Sequence, residues 1–402
     1  MKKNVSRVRG RMTPALRGGV ALLAAHLLLL ALVACRGQEG RPEVAAPDAA
    51  MHRADPARTG VYQTKALAKY SDIKWQFAAE DWVFAAPAVL GDTVYAASYD
   101  GNVYALNRET GAERWRFETA QPIIAAPAVA GGLVFVGGMD GIVYGLDAAG
   151  GEERWRVALG SDSAGDGITG SPAVVDGTLY VAGERGLLLA LEAQTGAERW
   201  RFQKEGQAVA FSPAVAGGSV YVAVADGHLY ALDSASGAEQ WSFNPAESPA
   251  ERYSPSADLV VGDGVVYYMT TDPKLLGRLF AIDLASHEAR WSYGTSTENF
   301  SAPALAGDVL VWGGLDNTIH AVAVATGEPA WTFATGDIVF TAPAVAGDPI
   351  YVGSADKNLY ALDTATGAVR WQFRADSGVS SPAVADGVVF VGTERGILYA
   401  LE

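Results

Sequence analysis

The residues able to do chemistry in this 402-residue chain are few and scattered. His26, His52, His228, His287 and His320 lie far apart, with no metal-type spacing, and Cys35 is the single cysteine. One thiol cannot close an internal disulfide and is too few for a zinc or iron–sulfur centre. No Gly-rich phosphate loop, nucleophile elbow or Cys-x-x-Cys-His haem site occurs. Asp-Gly pairs recur, as at Asp100-Gly101 and Asp140-Gly141. Acids so placed could ligate Ca²⁺, but the spacing is that of tight turns, where Gly supplies positive φ and Asp bonds the local backbone. The expectation is no catalytic residue and no metal ligand set.

What remains is the chemistry of recognition. Asp81, Trp82, Phe84, Phe211, Arg252, Tyr253, Phe300 and Phe340 set aromatics beside charges, the composition of anchors for a protein or peptide partner. Phe84, Phe211, Phe300 and Phe340 occupy equivalent positions of a repeat, so a purely structural role as an apolar plug stays open. Trp82 has no counterpart among the periodic tryptophans and is the first choice for a contact. The formal net charge is −15; residues 1–34 carry six basic residues and no acid, leaving 24 Lys+Arg against 45 Asp+Glu beyond them. A surface near −21 repels phosphate backbones, so nucleic acid is not an expected partner.

The elements that position these residues are set by an internal repeat. Trp75, Trp115, Trp155, Trp200, Trp241, Trp291, Trp331 and Trp371 follow one another at intervals of 40, 40, 45, 41, 50, 40 and 40 residues. Each interval holds a run such as Ala86-Pro87-Ala88-Val89, a second such as Val94-Tyr95-Ala96-Ala97, a third such as Leu359-Tyr360-Ala361-Leu362, and a Trp-x-Phe run. Short apolar runs separated by Gly turns are antiparallel strands, and four in about 40 residues make a propeller blade. The middle runs are apolar throughout, as expected when both sheet faces are covered by neighbouring blades. Each Trp suits the wedge between blades, its indole N–H seeking a backbone carbonyl.

The two ends of the repeat predict closure. The 73–77 run has a fourth strand without its first three, and residues after Trp371 supply three strands without a fourth. Pairing them removes an exposed sheet edge and gives an all-β, eight-bladed propeller over residues 60–402. Alternate connections share a face. The longer ones, at 161–169, before Tyr253 and at 270–277, fall mainly on the face carrying the candidate residues, where binding groups tend to sit on a rigid scaffold.

The segments Ala105-Leu106-Asn107-x-x-Thr110-Gly111-x-x-x-Trp115 and Ala361-Leu362-Asp363-x-x-Thr366-Gly367-x-x-x-Trp371 resemble the tryptophan-docking motif of the quinoprotein (PQQ-like) propellers. The match weakens at Gly150-Gly151, Ser286-His287 and Ala323. The enzymes of that family use a vicinal cysteine pair and calcium ligands carried on insertions, which this chain does not present, so neither PQQ nor Ca²⁺ is expected here. Length and the absence of enzyme residues resemble the BamB family of outer-membrane assembly lipoproteins. That resemblance implies a monomeric propeller with no cofactor, serving as a scaffold for an envelope protein or peptide. A generic ligand-binding propeller and, more distantly, a PQQ-dependent dehydrogenase stay as alternatives.

Ahead of the repeat, a basic stretch precedes an apolar run at 20–33 that ends in Leu32-Val33-Ala34-Cys35. Fourteen residues is signal-peptide length, short of a bilayer span. The sequence is similar to the lipobox of bacterial lipoproteins, which implies cleavage after residue 34 and lipidation of Cys35. Arg36 in place of Asp then implies the outer membrane, facing the periplasm, or the cell surface where there is no outer membrane. Residues 35–59, rich in Pro, Ala and Gly, read as a flexible tether.

Overall fold

The computed structural model describes residues 49–160, 167–183, 186–204, 209–246 and 253–402. Eight antiparallel sheets follow one another along the chain. Blade one runs Ala88–Leu90, Thr93–Ala97, Asn102–Asn107 and Glu113–Glu118, paired in sequence order. Blades two to seven repeat that meander, and blade eight joins Ala383–Ala385, Val388–Val391 and Ile397–Leu401 to Ile73–Ala78. The closing register sets Trp75 opposite Ala400, as the two ends of the repeat predict.

Middle strands such as Thr93–Ala97 are buried along their whole length. Eight apolar clusters account for this, one at each interface between neighbouring blades. Tyr95, Val103 and Trp115 of blade one, for example, pack against Val129, Val134 and Tyr144 of blade two. Burial on both faces explains why these strands lack polar alternation. The outer strands alternate instead, Glu113–Glu118 burying Trp115 while its arginines and glutamates face outward.

Tryptophan docking repeats around the ring. Trp115 Nε1 donates to Ala148 O at 3.1 Å and Trp155 Nε1 to Ala193 O at 3.0 Å. Trp75, Trp200, Trp291 and Trp331 do the same with carbonyls 33 or 34 residues ahead. Trp371 faces blade eight, whose fourth strand comes from Ile73–Ala78, and donates to Leu67 O just ahead of that strand at 3.0 Å, so the same bond locks the closure. The glycine of each docking turn is required twice over. Gly111 has φ +70°, and a Cβ there would stand 2.7 Å from the Trp75 ring. At Trp241 the glycine is replaced by His287, which takes φ +61° and stacks its ring on the indole at 4.7 Å.

One boundary differs from the sequence expectation. Residues 49–59, read as tether, are built into the centre of the ring, and residue 48 and those before it lie outside the described residues. Ala49–Ala50 pairs with the innermost strand of blade two, Ala49 opposite Ala130. The chain then winds around the axis. Pro56 O, Ala57 O, Thr59 O and Gly60 O accept in turn from the N–H groups of Val215, Val261, Leu305 and Val345, the same position in blades four to seven. Inner-strand N–H groups facing the axis need partners, and this segment supplies them by position rather than by side-chain pattern. It has no hydrophobic period for that reason.

Candidate binding site

The connections between fourth and first strands, with those between second and third strands, form one face of the ring, called upper here. The first-to-second and third-to-fourth turns form the lower face. On the upper face the axis opens into a cavity of about 710 Å³. Phe84, Phe211, Phe300 and Phe340, one from each of four blade entrances, line it with His52 and Asp258. The four equivalent phenylalanines therefore converge.

Phe84 and Phe340 stack with centroids 6.1 Å apart and planes 5° apart. Trp82 meets Phe84 edge-on at 5.0 Å and Phe340 edge-on at 6.2 Å, and stacks on Tyr99 at 6.3 Å. Phe84 is 37% exposed, Tyr99 41% and Phe300 49%. Rings so open to water forgo the burial that would make them a finished plug. Phe211 is held at φ +66°, a conformation that costs a bulky residue on the order of 1 kcal/mol. Its carbonyl packs against Gly170, where a Cβ would come within 2.5 Å.

The floor combines two parts of the chain 206 residues apart. His52 Nε2 lies 3.0 Å from Asp258 Oδ2, and Asp258 Oδ1 accepts from Ser212 N at 2.7 Å. That second bond belongs to a series. Ser171 Oγ accepts from Ala126 N at 3.0 Å, Ser212 Oγ from Ser171 N at 2.9 Å, and Ser381 Oγ from Ala342 N at 3.0 Å. Each is the residue opening its blade, bonded to the equivalent backbone of the blade before. Blade five alone places a carboxylate in this slot.

Beneath it Arg58, fully buried, donates to Pro213 O, Ser171 O, Pro172 O and His52 O at 2.7–3.1 Å. Arg53 donates to Pro303 O. Burial lowers both guanidinium groups to about 10, which leaves them charged at neutral pH. Burial also lowers the His52 pKa, against the raising pull of Asp258. For Asp258, burial acts to raise the pKa, but the bond to His52, nearby charge including Arg58, and the Ser212 N–H outweigh it and hold the carboxyl well below the usual range. The floor at neutral pH is thus an ionised Asp258 that accepts a hydrogen bond from His52 Nε2. His52 Nδ1 is buried without a partner among the described residues.

Other expected site residues are placed differently. Asp81 is exposed, and its Oδ1 accepts from Trp82 N at 2.7 Å. Tyr253 leaves the aromatic group and packs edge-on against Phe280 at 6.0 Å. Arg252 and Cys35 lie outside the described residues. Trp312 is fully buried and His320 stacks on it at 5.4 Å, a packed pair. The Asp-Gly aspartates serve turns, Asp100 accepting from Asn102 N and from the Tyr104 hydroxyl. The long second-to-third loop of blade five adds two apolar side chains to the upper face. Leu275 is 64% exposed at φ +62°, and Leu276 is 40% exposed.

The family model described as outer membrane protein assembly factor BamB matches residues 66–164, 139–315 and 315–402. The chain belongs to this BamB family. Its fold is similar to the crystal structure of BamB from Moraxella catarrhalis, with 20% identity, 82% of this chain and 99% of that one covered, and a TM-score of 0.68. It is also similar to quinohemoprotein alcohol dehydrogenase from Comamonas testosteroni (17% identity, 88% and 80% covered, TM-score 0.73). A europium-containing methanol dehydrogenase gives 15% identity, 89% and 98% covered, and 0.74. At these identities the solved structures show the fold, and fold does not carry function. No curated protein matches the chain in sequence.

The quinone of such dehydrogenases is a tricarboxylate, and this BamB-family cavity does not fit it. Among the described residues its lining carries no lysine or arginine, and the one carboxylate there, Asp258, is already committed to His52 and Ser212. Among the described residues no three His, Cys, Asp or Glu side chains gather as a metal site.

Proposed function

We propose that this chain is a non-catalytic, lipid-anchored scaffold that binds a protein partner on the upper face during assembly of outer-membrane β-barrel proteins. The observation that carries this reading is the convergence of Phe84, Phe211, Phe300 and Phe340 on one open cavity, with Trp82 at its lip. Aromatic anchors left exposed around a concave, preformed site are the chemistry of a binding hot spot. Membership of the BamB family supports the assembly role.

The axial segment supports an orientation. Ala49 stands opposite Ala130, beside the first-to-second turn, so the chain enters from the lower end and rises to His52 under the cavity. The test is co-purification of the full chain from membranes with a barrel-assembly protein. Recovery that falls at least about tenfold in Phe84→Ser and Phe340→Ser chains of unchanged melting temperature is expected. Equal recovery would remove the reading. Dye-linked dehydrogenase activity on adding PQQ and Ca²⁺ would replace it with the enzyme one.

A further inference from the structure

We infer that the occupant of the cavity is a cationic, apolar-tipped peptide: aromatic or aliphatic side chains enter the cavity, and lysines or arginines on either side meet the rim. This rests on the upper face being a protein-binding face, and it goes on to specify the partner's chemistry.

The two faces of the ring differ in how many of their acids are paired. On the lower face several acids are neutralised within the chain, whereas Asp176, Asp263 and Asp308 are in no ion pair among the described residues. Asp92 pairs with Arg114, Asp147 with Arg154 and Asp283 with Arg290, each at 2.6 Å, and Asp386 with Arg108 at 2.8 Å. On the upper face Glu80, Asp81, Glu298, Asp337 and Asp376 sit on the loops that enter the inner strands. None of the five is in an ion pair among the described residues. Lys204 is the one lysine or arginine on the described parts of those loops. It is already turned onto its own blade, 4.4 Å from the centre of the Tyr230 ring and 3.7 Å from Glu239.

The outcome is an apolar cavity with unpaired carboxylates on four of its eight entrance loops, while basic residues of the same face such as Lys357 and Arg395 sit on second-to-third turns. Acids without ionic partners repel one another, and the caps that Asp81 and Asp337 provide need an oxygen but not a charge, whereas a field of one sign around a concave mouth steers and selects an oppositely charged ligand. An acidic peptide would meet like charge at four of the eight entrances. A neutral apolar peptide would use the phenylalanines and leave the rim idle. Only a peptide with cationic flanks uses both features. The rim carboxylates are exposed or half-buried, so their contribution is screened within about 8–10 Å at moderate salt and shows as a salt-dependent preference.

The test uses the full chain in detergent and three dye-labelled peptides sharing a Leu-Phe-Leu-Phe core, flanked on both sides by Lys-Lys, Ser-Ser or Glu-Glu, with binding read by fluorescence anisotropy. The expected order is Lys above Ser above Glu, with at least about tenfold between first and last at low salt, and collapse of that gap at roughly 0.5 M salt. Asp81→Asn, Asp337→Asn and Asp376→Asn combined should flatten the order while sparing the Ser-flanked peptide. Asn keeps the oxygen that caps Trp82 N and Ile338 N, so the fold is retained. Phe340→Ser should weaken all three peptides. Equal binding of the three, lost together in Phe340→Ser, would overturn the cationic preference and leave the protein-binding face standing. Tighter binding of the Glu-flanked peptide would also overturn it. Failure of all three to bind would overturn both readings.

Discussion

Blades one and five are drawn from the same repeat and have diverged in opposite directions. Blade one keeps every element: an unbroken inner strand, a docking glycine at 111, and an outer strand whose Arg116 pairs with Glu113 at 2.7 Å. Blade five breaks its inner edge into Ser254–Pro255 and Val260–Gly262. It places Asp258 where its neighbours place serine, replaces the docking glycine by His287, and exposes Leu275 and Leu276. Blade four shares the distortion, its inner strand shifting register around Phe211. Regular blades carry the ring, and the departures other than His287 gather at the upper mouth and its floor. In a molecule stabilised by eight copies of one interface, a departure that persists beside an open cavity is a better pointer to function than any regular position.

Perturbing the regular parts should separate them from the irregular ones, and the largest effect should come from closure. Removing residues 72–78 takes away the strand that pairs with Ile397–Leu401 and bares a sheet edge. Loss of soluble monomer by size-exclusion chromatography is expected, and an unchanged melting temperature would contradict the closure. Arg58→Leu comes next, because it leaves four buried carbonyls without their donor. A loss of about 3 kcal/mol by denaturant unfolding follows.

The docking turns allow a matched pair. Gly111→Ala meets both the Trp75 ring and a positive φ, whereas Gly91→Ala meets positive φ in open space. The first should lose roughly 3 kcal/mol and the second about 1 kcal/mol; equal losses would show that the Trp contact contributes nothing.

A smaller effect tests the floor through pH. His52 has its pKa lowered in the folded protein, with burial the leading cause, so the unfolded chain binds the extra proton. Stability from this group is complete above its unfolded value near 6.5 and falls as pH drops below it toward the depressed folded value. The wild type should therefore lose more stability between pH 7.5 and pH 5.5 than His52→Asn, and parallel pH curves would contradict the assignment. Smallest of all, Arg116→Ala on the outer strand should leave the melting temperature unchanged within error, because an exposed pair of this kind is screened by water.

The fold was legible because tryptophan, proline and glycine mark each blade at fixed offsets, and because the strand at 73–77 is the missing fourth of the last three. The four phenylalanines were legible for the same reason, since equal repeat positions place equal side chains around one axis. The floor was not. His52 and Asp258 are 206 residues apart, and the axial segment is recognised through backbone carbonyls that no side-chain pattern announces. Two signals did exist. Blade five reads Asp258-Leu259 where other blades read Ser-Pro or Ala-Pro, and Arg53, Asp55 and Arg58 cluster just ahead of the repeat. Charges that close together, in a segment without apolar period, suit a solvated tether as well as a buried plug.

The central claim is that the partner seats in the upper cavity. A photo-reactive phenylalanine analogue placed at Phe340, and separately at Asp176 on a lower-face turn, tests it in intact cell envelopes. The account expects one discrete cross-linked protein from position 340, competed by the lysine-flanked peptide, and none from position 176. Equal cross-linking from both positions, or cross-linking from 176 alone, would contradict it.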